Sequence, residues 1–570
     1  MAAPKLKMRL GDLLVHEHII TNEQLMQALN SQKTSGRKLG DTLIELGYLS
    51  EKQLLQFLAQ QLNVPFLDIS QRQIPTSIAN LLPEVHARRL RALIIEDKGD
   101  SVLLGMSDPA DLSGLDQLEN MLAPKRIELA VVMESQLYDA FDGLYRRTAD
   151  IESFASQLEE EYQETSEFDL STSFVDETGD ATVGKLLQSV FEDAVQMRAS
   201  DIHIEPDESQ LRIRQRIDGV LQENILKENK IASAMVLRLK LMAGLDISEK
   251  RIPQDGRFNI QISGHNIDVR ISTMPVQYGE SVVMRLLDQS AGLLSFDQTG
   301  MPEDLIKRVR HQITRPHGMV LVTGPTGSGK TTTLYAALSE LNKASKKIIT
   351  VEDPVEYRLP RVNQVQVNTK IDLTFSSVLR TALRQDPDIM MVGEMRDQET
   401  VEIGLRGALT GHLVLSTLHT NDAITSALRL IDMGAAGFLV GSSLRAIIAQ
   451  RLVRRVCDNC TQEYVPDAQE LLWLTNLAGE QAKQAKFSHG TGCQSCQYTG
   501  YRGRIGVFEL LEMNEGMMAA LKRDDSEAFT ELSKANPSFT PLAKAAFDYA
   551  VQGITSVEEV LRLVETVDVS

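Results

Sequence analysis

Apolar positions near the N-terminus recur at three- and four-residue intervals, and they do so twice. The stretch "RLGDLLVHEHIITNEQLMQALNSQ", from Arg9, returns at an offset of 29 as "KLGDTLIELGYLSEKQLLQFLAQQ", from Lys38. The copies pair Leu10 with Leu39, Gly11 with Gly40, Asp12 with Asp41, Leu14 with Leu43, Leu25 with Leu54, Leu29 with Leu58 and Gln32 with Gln61. That spacing predicts one short helical module written twice. The period then changes: "RALIIED" and "SVLLGMSDPADL" read as strands and turns, so residues 1–145 are expected to form a small mixed α/β domain.

The pattern weakens over residues 146–182, where "TADIESFASQLEEEYQETSEFDLSTSFVDETGDAT" is acidic and rich in Ser and Thr. Self-repulsion there predicts a linker, with a short helix around Ile151 to Tyr162. After it, "VGKLLQSVFEDAVQMRASDIHIEP" predicts a helix and then a strand, and "QLRIRQRIDGVLQE" and "GHNIDVRISTMPVQYGESVVMRLLD" alternate as strands do. Residues 183–290 are therefore expected to be an antiparallel α+β domain. Beyond them the runs "MVLVTG", "KIITVED", "DIMMVGE" and "HLVLSTLH" alternate with helical stretches, which predicts a largely parallel sheet over 291–570. That third domain carries a Cys-containing insertion, about 457–496, and ends in a helical tail. The fold class expected is α/β and multidomain.

Composition narrows the partners. With 78 acidic against 59 basic side chains the formal net charge is −19, a field that disfavours nucleic-acid polymers and anionic lipid. No apolar run approaches the ~18–20 residues of a membrane span, and "MAAPKLKMRLGD" has no signal-peptide core. The expectation is a cytoplasmic protein without direct membrane insertion, held peripherally at an inner membrane by protein partners.

Chemistry concentrates near residue 330. "GPTGSGKT" follows an apolar strand and precedes a helix, the context of a phosphate-binding loop. Gly324, Pro325, Thr326, Gly327, Ser328 and Gly329 would wrap backbone N–H groups around phosphates of ATP. Lys330 would reach the β and γ phosphates, and Thr331, followed by Thr332, would ligate Mg²⁺. A structural Gly-rich turn is the alternative. Acids at predicted strand ends supply candidates for the metal and the attacking water: Glu394 after "IMMVG", and Glu352, Asp353 and Glu356 in "TVEDPVE". His412 and His419 flank the next strand and are candidate γ-phosphate sensors or structural histidines.

The phosphate loop, "TVEDPVEY", "LRQDPDIMMVGEMRD" and "GHLVLSTLHTNDA", in that order, resemble the Walker A, Asp box, Walker B and His box of the type II and type IV secretion ATPase superfamily. The resemblance covers residues 183–570. It implies a RecA-like ATPase core, a preceding PAS-like domain and work as a homo-hexamer on inner-membrane platform proteins. It also implies that Arg270 and Arg285 reach ATP from that preceding domain; strand-face arginines paired with local acids are the other reading. Walker B here ends in Gly393-Glu394, which leaves open which carboxylate activates water.

Cys457, Cys460, Cys493 and Cys496 form two C-x-x-C pairs, the ligand set of a closed structural Zn²⁺ site, with disulfides or free thiols as alternatives. Pilus extension and secretion ATPases are similar in this feature. The duplicated opening suits a helical pair that packs on itself or docks a partner, and equally a ligand with two equivalent halves. Its pattern resembles the MshEN domain, which binds cyclic di-GMP. Carried over, the motif assigns Arg9, Leu10, Gly11, Leu14, Leu25, Leu29 and Gln32, and in the second copy Lys38, Leu39, Gly40, Asp41, Leu43, Leu54, Leu58 and Gln61. Lys38 lacks the planar fork of Arg9, and His18 stands where the second copy has Gly47. The whole chain most resembles the extension ATPases of mannose-sensitive-haemagglutinin-type pili. A type II secretion ATPase whose N-terminal region only docks a partner is the near alternative; a nucleic-acid translocase and a non-catalytic scaffold are the distant ones.

Overall fold

A computed structural model describes residues 10–35, 39–70, 72–109, 111–145, 147–164, 177–228, 231–262, 264–289 and 294–568. The duplicated segment folds as two helical hairpins, α1 (Leu10–His16) with α2 (Asn22–Ser35) and α3 (Leu39–Glu45) with α4 (Glu51–Leu62). Corresponding turns use corresponding chemistry. Thr21 and Gln24 exchange hydrogen bonds at the start of α2, and Ser50 and Gln53 do the same at α4, satisfying backbone N–H groups that a helix start leaves free. His18 and Gly47 both sit in the left-handed region, with φ of 57° and 70°, so the mismatch expected there leaves the turn unchanged. Behind the hairpins lies a three-stranded sheet of β1 (Ala92–Asp97), β2 (Ser101–Met106) and β3 (Arg126–Val131). Leu55 and Ala59 of α4 pack on Val131 and join the two parts.

The expected linker is in part a packed helix. Residues Thr148–Glu164 form a helix whose Ile151, Ala155 and Leu158 are buried in the core of the second domain. An apolar residue at every third or fourth position outweighs the acids between them once a partner helix, here Glu177–Gln196, is present. The short helix read from Ile151 to Tyr162 lies within it.

The second domain is a six-stranded antiparallel sheet in the order β6-β5-β4-β9-β8-β7. Its strands are β4 (Asp201–Pro206), β5 (Leu211–Ile217), β6 (Val220–Leu226), β7 (Gln254–Ile262), β8 (His265–Val276) and β9 (Gly279–Asp288). Ile202, Ile204, Ile213, Val269, Ile271, Val282 and Met284 point into its core, under helices Glu177–Gln196 and Ile231–Met242. Period-2 alternation puts the intervening residues on the other face. There Arg257, Arg270, Arg285, Asp201 and Arg216 stand side by side as successive cross-strand partners.

The third domain is a seven-stranded sheet in the order β12-β11-β13-β14-β10-β15-β18. These are β10 (Gly318–Thr323), β11 (Ile348–Glu352), β12 (Val362–Gln366), β13 (Ile389–Val392), β14 (Leu413–Leu418), β15 (Leu444–Val456) and β18 (Tyr501–Glu512). β10, β11, β13 and β14 are buried along their whole length, as parallel strands covered on both faces must be. β15 and β18 form a long antiparallel hairpin, and the insertion between them carries β16 (Thr461–Tyr464) and β17 (Phe487–Gly490). C-terminal helices pack on the sheet through Met517, Phe529, Phe547 and Val560. Among the described residues, no helix is long and apolar enough to cross a membrane.

Candidate functional site

The phosphate loop joins β10 to helix Lys330–Leu341. Gly324, Gly327 and Gly329 take φ of 149°, 80° and 89°, and a Cβ on Gly324 would stand 2.5 Å from the Gln450 carbonyl oxygen. Glycine is therefore required by shape as well as by flexibility. Lys330 Nζ curls back and donates to the carbonyl oxygens of Gly324, at 2.7 Å, and Pro325, at 3.0 Å. Burial pushes its ammonium down to about 8, with Glu394 opposing and Arg451 reinforcing the shift. Ser328 Oγ is buried and without a partner among the described residues, an orphan donor facing the loop. A buried cation, an orphan hydroxyl and free N–H groups at a helix start fit a triphosphate.

β13, β14 and β10 are neighbours, so Glu394, His419 and the loop collect at the carboxyl ends of adjacent parallel strands. His419 Nε2 lies 3.2 Å from a Glu394 carboxylate oxygen, and Arg396 pairs with the same carboxylate. Glu352 is placed differently. It is 3% exposed and accepts hydrogen bonds from Tyr335, Thr350 and Gln364, which makes it a buried anchor between helix Lys330–Leu341 and β11. A strand-end acid points to one side of the sheet or the other, and Glu352 points into the core. His412 Nδ1 contacts the Gly407 carbonyl oxygen at 3.0 Å, a helix-end contact away from the loop. Asp353 is exposed in the turn that follows β11.

Among the described residues, the second domain reaches this region through an Arg270–Glu356 ion pair and a hydrogen bond of 3.3 Å from Gln289 Nε2 to the Glu356 carbonyl oxygen. Arg270 donates to both carboxylate oxygens of Glu356, the first contact being 3.0 Å. Arg285, directly across from Arg270, is held by Asp201 at 3.0 Å, with its side chain 57% exposed. Among the described residues, the hydrogen-bond partners of the two arginines are Glu356 and Asp201.

The four cysteines converge in the insertion. All are buried, and their sulfurs lie within 4.8 Å of one another, with Sγ–Sγ contacts of 3.7 Å for three pairs. Zn–S bonds of ~2.3 Å arranged tetrahedrally require an edge of about 3.8 Å, so the thiols are already at ligand spacing. Disulfide bonds are absent from the cluster, where all four thiols are free. Hydrogen bonds from Cys457 and Cys493 hold the Cys496 thiol far below its ordinary value, helped by the backbone N–H groups of Cys493 and Gly500.

In the repeats the equivalence holds at atomic detail. A Cβ on Gly11 would stand 2.6 Å from Leu25 Cδ1, and one on Gly40 would stand 2.8 Å from Leu54 Cδ2. Leu14 and Leu43 are wholly buried, and Leu25 and Leu54, against which Gly11 and Gly40 pack, are nearly so. Leu29 is exposed, and Leu39, Leu58 and Gln32 are partly so. Arg9 and Lys38 lie outside the described residues, and so do the side chains of Leu10 and Asp41.

The model of the type II/IV secretion system protein family matches residues 176–562, and that of the MshEN domain matches residues 62–151. The chain belongs to the type II/IV secretion system protein family. It is 39% identical to the "Type IV pilus assembly ATPase PilB" of Myxococcus xanthus over 97% of this chain and 98% of that one. It is 42% identical to the "Type II secretion system protein E" of Dickeya dadantii over 85% of this chain and 97% of that one. A solved structure described as "Structure of MshE with cdg" is 55% identical, covering 24% of this chain and 98% of that one, with a TM-score of 0.23. The MshEN match begins where α4 ends, so the tandem hairpins precede it.

As a secretion-family ATPase, the chain uses residues its motifs do not reveal. Gln450, 1% exposed on β15, donates from Nε2 to the Ser328 carbonyl at 2.7 Å and accepts from Thr333 Oγ1 at 2.7 Å. One amide thus clamps the phosphate loop and the helix it opens. Next to it, Arg451 donates to the Gln450 carbonyl and to Asn421 in the loop after β14. Glu509 accepts from the N–H groups of Ala423 and Leu542, both at 2.8 Å, and so caps two helices at once. Its burial pushes the carboxyl up to about 7. The partners of Gln450 lie more than 100 positions away in sequence, and no local pattern announces such a contact.

Proposed function

We propose that this ATPase works as a homo-hexameric ring that hydrolyses ATP to extend a type IV pilus of the mannose-sensitive-haemagglutinin kind, under control of cyclic di-GMP. On this reading it sits at the cytoplasmic side of an inner membrane on platform proteins. Lys330 and the loop amides hold the β and γ phosphates, Thr331 holds Mg²⁺, and Glu394 orients the attacking water with His419 beside it. Asp353 stays near the metal. Arg270 and Arg285 stabilise phosphoryl charge after leaving Glu356 and Asp201. The tetracysteine cluster holds structural Zn²⁺, which supplies only cross-linking of the insertion.

The observation that carries the regulatory half is the matched pair of Leu-Gly steps, each packed on its own leucine and followed by the same cap. A twofold ligand needs two such half-sites, and cyclic di-GMP is the ligand named, as cdg, for the 55% identical MshE. Arg9 and Lys38 would meet its charge, and the exposed faces of Leu29, Leu39 and Leu58 its bases. The 42% identity to a type II secretion protein E supports the second reading, a secretion motor with no ligand at the repeats.

The test is calorimetric titration of the full chain with cyclic di-GMP, with GTP as control and with Arg9→Ala and Glu394→Gln variants. The reading requires binding that weakens at least ~10-fold in Arg9→Ala. It also requires ATP turnover that falls at least ~100-fold in Glu394→Gln with ATP still bound. No binding of cyclic di-GMP to the unmodified chain would return the repeats to partner docking.

A further inference from the structure

Both Cys-x-x-Cys turns face the N-terminal domain, and they do so through equivalent residues. In Cys457-Asp458-Asn459-Cys460 and Cys493-Gln494-Ser495-Cys496, the third position of each points at one carboxylate, Asp139 on helix Glu134–Leu144. Asn459 Nδ2 donates to Asp139 Oδ2 at 3.2 Å and Ser495 Oγ donates to it at 3.1 Å. Arg502 adds a hydrogen bond of 2.9 Å to Oδ2 and an ion pair of 2.7 Å to Oδ1. The Asp139 side chain is 16% exposed, so this is a sheltered contact in which both carboxylate oxygens are engaged.

The next residues are gripped from another direction. Gly503 N–H donates to Asp218 Oδ2 at 2.8 Å, and Arg504 Nε lies 3.8 Å from Asp218 Oδ1, Asp218 being at the turn between β5 and β6. Three consecutive residues therefore meet an acid from each of the two preceding domains. They also open β18, which runs from that junction into the ATPase sheet. There Val507 faces Arg451 and Phe508 faces Gln450, the residue that clamps the phosphate loop. A rigid element with both domains at one end and the nucleotide site at the other is a physical route for coupling.

We propose that the tetracysteine module is the docking surface for the N-terminal domain, and that Arg502–Arg504 passes the ligand state of that domain to the phosphate loop. The proposal rests on the cyclic di-GMP reading above. The ligand acts by altering the free energy of the Asp139 contact, since only a difference between two states can move the motor. The metal's part is to keep both third-position donors aimed at one carboxylate.

The experiment uses the full-length protein, with Asp139→Ala and Arg502→Ala variants. Three readouts are taken: calorimetric affinity for cyclic di-GMP, ATP turnover with and without it, and amide hydrogen exchange of residues 501–512. In the unmodified chain the ligand is expected to change turnover by ~5-fold or more and to alter exchange across 501–512. In either variant cyclic di-GMP still binds, with its affinity shifted by the coupling that is lost, while the ligand-dependent changes in turnover and exchange fall below about 1.5-fold. Variants that bind the ligand and retain the full response in turnover and exchange overturn this role for the contact alone. An unmodified chain that does not bind the ligand overturns the second-messenger reading, and this role with it.

Discussion

Replacing Gln450 with Ala tests whether the phosphate loop is shaped by its own glycines or by the strand beside it. The change removes the amide that meets the Ser328 carbonyl and the Thr333 hydroxyl, each at 2.7 Å in a buried setting. A buried polar group left unpaired costs ~1–3 kcal/mol, so two of them amount to about 2–4 kcal/mol once partial relaxation is allowed. Part of that cost falls on overall stability and part on the loop's binding geometry. If half reaches the site, ATP affinity falls by roughly 10-fold, at ~1.4 kcal/mol per decade. Because the clamp acts on the loop before and during reaction, KM should rise more than kcat falls. Thr333→Val breaks only one of the two bonds and should weaken ATP binding by ~5-fold. In the double variant the two losses should fall short of adding, since they share a partner. Fluorescent-nucleotide titration, steady-state turnover and thermal unfolding give the three readouts. A Gln450→Ala protein with ATP affinity within about twofold of the unmodified chain would refute the clamp.

The lowered Lys330 ammonium has a definite sign: its folded value is about 8 against 10.5, so the unfolded chain holds the proton more tightly and stability rises with pH across that interval. ATP binding should take up a proton near pH 8 and weaken above it, which calorimetry in buffers of different ionisation enthalpy will detect. For Glu509 the sign is opposite. Its folded value of about 7 against 4.5 gives stability that is present below pH 4.5 and lost as pH rises through 7, and Glu509→Gln should flatten that slope in thermal melts. Gly11→Ala and Gly40→Ala each drive a methyl into a leucine, at 2.6 and 2.8 Å. Each should lower N-terminal-domain stability by about 1–2 kcal/mol, and unequal losses in denaturant melts would argue against equivalent half-sites.

The candidate phosphate loop was legible as one stretch because phosphate binding demands contiguous residues. Glycines, Lys330 and Thr331 must follow one another along the chain, so Gly324–Thr331 reads directly. Acids at strand ends carry no such constraint. The same sequence logic selected Glu352 and Glu394, yet Glu352 is caged by Tyr335 and Thr350 whereas Glu394 meets His419. Alternation cannot tell which side of a fully buried strand carries the ligand. The repeats were legible as a duplication, but helical spacing does not separate an exposed leucine, such as Leu29, from one, such as Leu14, buried in the core of the hairpins. The helix Thr148–Glu164 was legible over Ile151 to Tyr162, but its acids hid its packing into the second domain. Gln450 and Asp139 were invisible, since their partners are distant in sequence and are brought near only by sheet order and domain docking.

Val456 and Tyr501 are paired rungs of the β15/β18 hairpin, so everything from 457 to 500 leaves and re-enters the sheet at a single point. Closing a longer loop adds only ~0.6 kcal/mol per doubling of its length, so the point of exit itself asks little of the sheet. What holds the module is packing: Leu474, Ala482 and Phe487 are buried in the core of the ATPase domain. A single in-frame deletion that joins Val456 to Tyr501 by a short turn removes the cysteines and two of the donors to Asp139, and it spares every residue that touches the phosphate loop. The cysteines and the phosphate loop are thus written in separate lengths of the gene and are joined in the fold by one shared core.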